Sequence, residues 1–328
     1  MNYYAQRALQ WVITVWAVVT ISFVLIRYIP GGPMDYIIGL YAQEGMPTDR
    51  IATLAEVYVN IRPDEPLYVQ YFDYVFATFS GDLGTSTWYQ ASVSGILGRA
   101  LPWTIFLMSH AIILTYLLAV AWGGVMAYKE GSRFDLASTG IAMLGASFPY
   151  YLLALLLITV VSAEMGWFPM RGRYDYDLEV GFTLTYIGSL YHHAALPILS
   201  MVATSAGIHA LTMRGNSISI LGQDYMRVGR LRGLPNQRLA LRYVARNAIL
   251  PMYTAFLISI GFMFGGSIVI EEIFTYPGVG YYMFVAIQTR DYPLMMGAFI
   301  LITIAVCTAV LFADLTYGRI DPRIKTRD

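Results

Sequence analysis

Six stretches of this chain are long and apolar enough to cross a bilayer, and nothing else in the sequence narrows its architecture as much. A membrane-spanning helix needs about 20 mostly apolar residues. Residues 8–29, 102–127, 136–162, 194–213, 248–270 and 295–317 each supply such a run. Backbone N–H and C=O groups find no water in lipid, so every run is predicted to be helical. The composition agrees: 57% of the 328 residues are hydrophobic and 13% charged, against about 25% charged in soluble domains. The expected class is an all-α integral membrane protein with six transmembrane helices. The first run reads as an uncleaved helix, not a signal peptide. Only Arg7 precedes it, and Arg27-Tyr-Ile-Pro-Gly-Gly-Pro follows where small residues would mark a cleavage site.

Six spans put both termini on one side. That side holds the N-terminus, the 128–135 turn, the 214–247 loop and the C-terminal tail, with 14 Lys/Arg and, counting Asp314 at the inner end of the last run, 6 Asp/Glu. Loops 27–101, 163–193 and 271–294 on the other side carry 7 Lys/Arg and 15 Asp/Glu. The positive-inside rule makes the first side cytoplasmic. A formal net charge of zero argues against nucleic acid as a partner. The single cysteine, Cys307, excludes an intramolecular disulfide framework and a cysteine-built iron–sulfur or zinc site. In the first outer loop, LYVQYFDYVFATFSGDLG (67–84) has aromatics that suit either an interfacial helix at the outer surface or a cap over the bundle mouth.

Positive charge concentrates in GQDYMRVGRLRGLPNQRLALRYVARNAILP (222–251), with six arginines and one carboxylate. Asp224 is placed near the positive end of a short helix that carries Arg227 and Arg230 three residues apart. Gly233 is placed to end it and Pro235 to open the next. That second helix is predicted to carry Arg238, Arg242 and Arg246 on one face and to run through Asn247 into the fifth span at Leu250-Pro251. Anionic head groups attract such arginines by roughly 1 kcal/mol each, which accounts for part of the cluster. It does not account for the ordered Asp-Tyr-x-Arg-x-x-Arg-x-x-Gly layout, which suits a projecting helix that docks a soluble partner.

Inside the spans, Gly261, Gly265 and Gly266 give a GxxxG spacing suited to close helix contact or to a kinked pore-lining segment. Ser147-Phe-Pro149-Tyr150-Tyr151 breaks helix bonding in mid-span, and its polar groups face a translocation cavity or make interhelix contacts. Glu271 and Glu272 fall at the outer end of span five. His110 and His209 lie within spans, and the pair His192-His193 precedes span four. Adjacent histidines do not share a helix face, so structural contacts are expected rather than a metal site.

The ordered motifs resemble the permease subunits of binding-protein-dependent ABC importers, and more narrowly the first permease of the dipeptide/oligopeptide class. DYMRVGRLRGL (224–234) and RNAILP (246–251) resemble that class's cytoplasmic coupling loop. The likeness continues through LIRYIPGGP (25–33), GDLGTS (81–86), GWFP (166–169), GGSIVIEEIFTYPGVG (265–280), RDYP (290–293) and DLTYGRIDPRI (314–324). Gly229 and Arg232 depart from the usual alanine and lysine, and Gly32 from an aspartate.

The resemblance implies a type I importer permease with both termini cytoplasmic in the plasma membrane. Residues 1–92 would form the first helix and outer loop, 93–318 the five-helix core, and 319–328 a tail. It implies an ATPase-coupling role for Asp224, Tyr225, Arg227, Arg230, Gly233, Arg246, Asn247 and Pro251. Ser147, Pro149, Tyr150, Ser267 and Glu271 would belong to the translocation path or outer gate. The implied partners are a second homologous permease, two cytoplasmic ABC ATPases, an extracellular substrate-binding protein and membrane lipid. No metal or cofactor is expected in this chain, because ATP and Mg would be held by the ATPases. The two lysines, Lys129 and Lys325, leave no G-x-x-x-x-G-K-S/T phosphate loop. The expected function is ATP-driven import of peptides, or of similar solutes such as oligosaccharides, by alternating access. An ion-coupled transporter working alone would call for carboxylates near the midplane, and the span interiors carry no Asp or Glu. An intramembrane enzyme would need a nucleophile–base pair or metal ligands at helical spacing, and neither is found.

Overall fold

The computed structural model describes residues 3–28, 39, 41–43, 45–59, 65–235, 238–263 and 268–320. Among these, all regular structure is helical apart from one isolated antiparallel bridge between Thr85 and Ser92. The order is α1 (Tyr3–Tyr28), α2 (Thr48–Val59), α3 (Leu67–Phe79), α4 (Val93–Tyr128), α5 (Arg133–Ser147) and α6 (Tyr150–Leu157), with α6 extended by π-helical Ile158–Glu164. Then follow α7 (Leu184–Leu221), α8 (Asp224–Leu231), a π-helical segment (Leu239–Ala245), α9 (Arg246–Met263), α10 (Ile268–Ile273), α11 (Val279–Thr289) and α12 (Tyr292–Ile320).

Five helical stretches are individually long and apolar enough to cross a membrane: Ala5–Tyr28, Val93–Tyr128, Leu184–Leu221, Arg242–Met263 and Tyr292–Phe312. The sequence predicts one further span over 136–162. The structure instead divides that run into α5 and α6 with its extension, bent by 89°, and only the pair together is long enough. The cause is local. Proline disfavours helical dihedrals at the residue before it, and Phe148 accordingly adopts φ −96°, ψ 120°. The helix stops at Ser147, and Pro149 becomes the residue that opens α6.

Helices α4 and α7 outrun their predicted spans, at 36 and 38 residues. A rise of 1.5 Å per residue makes them about 54 and 57 Å long, against about 30 Å of hydrocarbon, so both project beyond it. Side-chain caps fix their starts: Ser92 accepts from the Gly95 N–H and Thr183 from the Tyr186 N–H. These two helices form the central pair, with Gly123 of α4 against the Ala210 carbonyl and Met213 of α7. The α5 helix crosses α7 at Gly207, where a Cβ would lie 2.9 Å from the Ala142 Cα. Small residues at such crossings let backbones meet where hydrophobicity alone gives no drive. Gly261 plays that part in α9: a Cβ there would meet Val310 Cγ2 of α12 at 3.3 Å. Gly265 and Gly266 lie outside the described residues.

At one end of the bundle, Asp291 joins two separated stretches of sequence. Its buried carboxylate accepts the Ser86 hydroxyl and the Thr87 and Trp88 N–H groups, both at 3.2 Å. It also caps α12 by accepting from the Leu294 N–H at 3.2 Å. The GDLGTS and RDYP motifs are therefore two halves of one joint.

Candidate functional site

The α8 helix begins at Gln223, which is extended (φ −77°, ψ 147°), and Asp224 occupies its first turn. Met226 and Gly229, three residues apart, are its buried positions. Met226 packs with Leu239 and Val244, and around them lie Ile220, Leu221, Leu234 and Tyr243. That burial leaves Asp224, Tyr225, Arg227, Val228, Arg230 and Leu231 exposed. At Gly229 a Cβ would sit 2.8 Å from Leu239 Cδ2, so a larger residue there requires the Leu239 side chain to shift.

Gly233 ends the helix as the sequence predicts. It has φ +70°, a region L-residues avoid. Its N–H donates to the Arg230 carbonyl at 3.0 Å, and the Leu234 N–H donates back to Gly229 at 3.2 Å. This is the paired bonding of a Schellman motif. The Pro235 carbonyl accepts from Arg238 and Leu239 at 2.9 and 3.1 Å, while residues 236–237, where the next helix is predicted to run, lie outside the described residues.

The return helix departs from the predicted regular α-helical face. Leu239–Ala245 is π-helical, and its wider turn breaks the four-residue stacking of Arg238, Arg242 and Arg246, although all three remain exposed. The root of the loop supplies a reason. The Asn247 side-chain amide donates to the Tyr243 carbonyl at 2.7 Å, competing with the α-helical backbone donor for that acceptor. One turn on, Pro251 lacks the N–H that would bond the Asn247 carbonyl. Arg246, Asn247 and Pro251 therefore mark a structurally adjusted junction between loop and span. Asn216 of α7 braces it through the Ala248 carbonyl at 3.4 Å.

Sequence reasoning misses the polar clamp at the upstream end of this loop. Arg214 of α7 donates Nε and Nη2 to Asp135 Oδ1 and Oδ2 at 2.6 and 2.7 Å. Asp135 is buried at the start of α5 and also accepts the Gly131 N–H at 3.1 Å, while Ser132 caps the helix by accepting the Asp135 N–H. A signal for it exists in Ser132-x-x-Asp135, the pattern of a helix start. No sequence rule pairs that aspartate with an arginine 79 residues away.

The remaining expected residues fall in two places. Ser147 is exposed and bonds back to the Met143 carbonyl, and Tyr150 and Tyr151 lie half-exposed at the α5–α6 bend with rings 5.8 Å apart. Glu271 is fully buried. It accepts from the Thr104 hydroxyl at 2.8 Å and the Tyr281 N–H at 3.0 Å, while Thr104 accepts the Val279 N–H at 2.8 Å. Gly278 is required beside them, since a Cβ there would meet Thr104 Oγ1 and, at 2.5 Å, Glu271 Oε2. Burial pushes the Glu271 carboxyl up to about 7. The YPGVG turn is thus fastened to α4 through one carboxyl group and one hydroxyl. Arg173 adds a second tie, 4.5 Å over the Trp103 ring with Nη1 3.5 Å from the Pro277 carbonyl. Ser267 lies outside the described residues.

The histidines make structural contacts. His192 meets the Trp167 carbonyl at 2.9 Å, His193 the Ser189 carbonyl at 2.9 Å, His110 the Tyr191 hydroxyl at 3.0 Å, and His209 stacks on Tyr116. Among the described residues, no cluster of His, Cys, Asp or Glu is arranged to hold a metal ion.

Comparison with known proteins places this architecture. Residues 119–326 match the family described as binding-protein-dependent transport system inner membrane component. The oligopeptide transport system permease protein AppB of Bacillus subtilis (strain 168) is 31% identical over 325 residues, covering 98% of this chain and 99% of AppB. The di/tripeptide transport system permease protein DppB of Pseudomonas aeruginosa (strain UCBPP-PA14) is 30% identical, with 99% of each chain covered. The glutathione transport system permease protein GsiC of Escherichia coli O6:H1 is likewise 30% identical over 99% of each. Among solved structures, an amino acid ABC transporter crystallised with histidines shares the fold at TM-score 0.50 and 15% identity, over 69% of this chain and 94% of that one. The chain belongs to the binding-protein-dependent inner-membrane component family, as a membrane permease of the peptide class of ABC importers.

Proposed function

We propose that the chain is one of two permease subunits in an ATP-driven importer of peptides, crossing the membrane six times with both termini cytoplasmic. The observation that carries this reading is the exposed face of α8. A helix that must transmit force needs a rigid end, a buried seat and a free surface, and α8 has a Schellman closure at Gly233, a seat at Met226 and a charged outer face. Asp224, Tyr225, Arg227 and Arg230 form the face that docks in a cleft of the ATPase. Arg246, Asn247 and Pro251 carry its movement into α9, and the Asp135–Arg214 clamp holds the other end of the loop to α5. ATP binding and hydrolysis occur in the partner ATPases. Moving two such loops as rigid bodies switches the permease pair between outward and inward access.

The Glu271–Thr104 staple borders the path at the outer side, and the α5–α6 bend around Ser147, Pro149 and Tyr150 borders it in mid-span. A liganded binding protein delivers the substrate there. The oligopeptide, di/tripeptide and glutathione permease names of AppB, DppB and GsiC support a peptide substrate. The test is reconstitution of the chain with its partner permease and ATPases in liposomes, supplied with the binding protein. Uptake of a labelled oligopeptide that needs ATP supports the reading. Uptake driven by an ion gradient without ATP contradicts it.

A further inference from the structure

The α3 helix carries a face that the transport reading leaves unused. Tyr68, Phe72, Phe76 and Phe79 stand on one stripe at intervals of four, four and three residues and are 57–77% exposed. Its other side packs on the bundle. Tyr74 and Thr78 are buried, the Phe23 ring of α1 lies 5.5 and 5.7 Å from those of Tyr71 and Tyr74, and the Tyr71 hydroxyl meets Thr20 Oγ1 at 2.8 Å. Four large aromatics exposed together mark an interaction surface rather than scattered surface residues.

The depth of the packing partners indicates what covers that stripe. Thr20 and Phe23 lie within the apolar run of α1, upstream of Arg27, and Thr20 is about 10 Å along the axis from that arginine. On α12, Met296 and Ile300 share a core cluster with Tyr74 and lie about 6 and 12 Å beyond Tyr292. The helix is therefore seated beside the ends of two spans, not above them. Its far side must face outward at the depth of those ends. The neighbouring surface of α1 is continuous with it and apolar, with Ile21, Val24 and Leu25 exposed. The only charge on α3, Asp73, lies on the edge of the stripe. Thirteen residues span about 20 Å, too short to cross but suited to lying along an interface.

We propose that α3 is a lipid-embedded helix whose Tyr68, Phe72, Phe76 and Phe79 stripe inserts between the acyl chains and head groups of the outer leaflet, fixing the depth of the outer segment. The identity of the leaflet rests on the orientation proposed above; insertion into lipid does not, and the experiment reads insertion alone. Cys307 is the single cysteine, so a C307A background allows one spin label at a time, at F72C, F76C or D73C. Each variant is reconstituted in liposomes with whatever subunits co-purify with the chain, and helical content equal to that of the unlabelled protein verifies the fold. Collision of the nitroxide with oxygen, which concentrates in hydrocarbon, is compared with collision with a water-soluble nickel chelate. The expected result is an oxygen-to-nickel ratio at 72 and 76 several-fold above that at 73. Two results overturn the proposal. A nickel-accessible stripe would place it in water. A stripe closed to both reagents, either always or once the binding protein is added, would assign it to a protein partner.

Discussion

Replacing Gly233 with valine isolates the coupling turn from everything else in the chain. No heavy atom lies within 4 Å of a Cβ built at this position, yet its φ is +70°. A Cβ therefore meets no described atom, and the cost reckoned for the substitution is that of backbone conformation. A left-handed L-residue costs roughly 1–2 kcal/mol, and a β-branched one falls at the upper end. A cost of roughly 1–2 kcal/mol lowers the closed form, with Gly233 bonded to Arg230 and Leu234 to Gly229, by about 5–30-fold relative to opened forms. ATP-driven uptake by the reconstituted importer should drop about tenfold, within that range. Membrane insertion and detergent-extracted yield should not change, because Gly233 lies outside the membrane-spanning stretches. Asparagine tolerates the left-handed region far better, so Gly233→Asn should keep most of the uptake. Wild-type transport by Gly233→Val, or an equal loss with asparagine, would refute the reasoning.

Three further outcomes follow from the geometry. Arg214→Ala leaves the buried Asp135 carboxylate without its two-point partner, costing on the order of 3 kcal/mol. It should lower the thermal unfolding midpoint in detergent, and Arg214→Lys should recover only part of the loss because an ammonium cannot form the fork. The raised Glu271 carboxyl holds its proton to about pH 7, whereas its ordinary value is 4.5. The stability it contributes is therefore fully present below about pH 4.5 and is lost as pH rises to about 7. The midpoint difference between wild type and Glu271→Gln should change across that window and stay constant above it. Asp224→Lys places a cation at the positive end of α8 and alters the docking face, costing roughly 1 kcal/mol in helix stability alone. Less ATPase should co-purify with it, and unchanged recovery would assign the surrounding charges to lipid contact.

The sequence makes the helical turns and breaks legible because proline and glycine act through their own backbones. Gly233, Pro235 and Pro149 each do locally what their chemistry dictates, and so the coupling turn and the position of the span-three break can be read directly. Three features are not readable. The size of that break, 89°, depends on how α6 packs after the helix stops. The π-helical return segment depends on the Asn247 side chain competing for a carbonyl four residues back, which no hydrophobic pattern records. The polar joints are the largest omission. Asp135 with Arg214, Asp291 with Ser86, and Glu271 with Thr104 are separated by 79, 205 and 167 residues. Each partner alone looks like an ordinary helix-end or interfacial residue. Only the fold reveals that motifs such as GDLGTS and RDYP meet.

The most direct test of the account is affinity purification of the tagged chain from its native membrane in mild detergent, with mass spectrometry of what accompanies it. Two kinds of companion are expected, P-loop ATPases and a second permease of the same family. Reproducible isolation of the chain alone, together with transport after reconstitution without ATP, would contradict it.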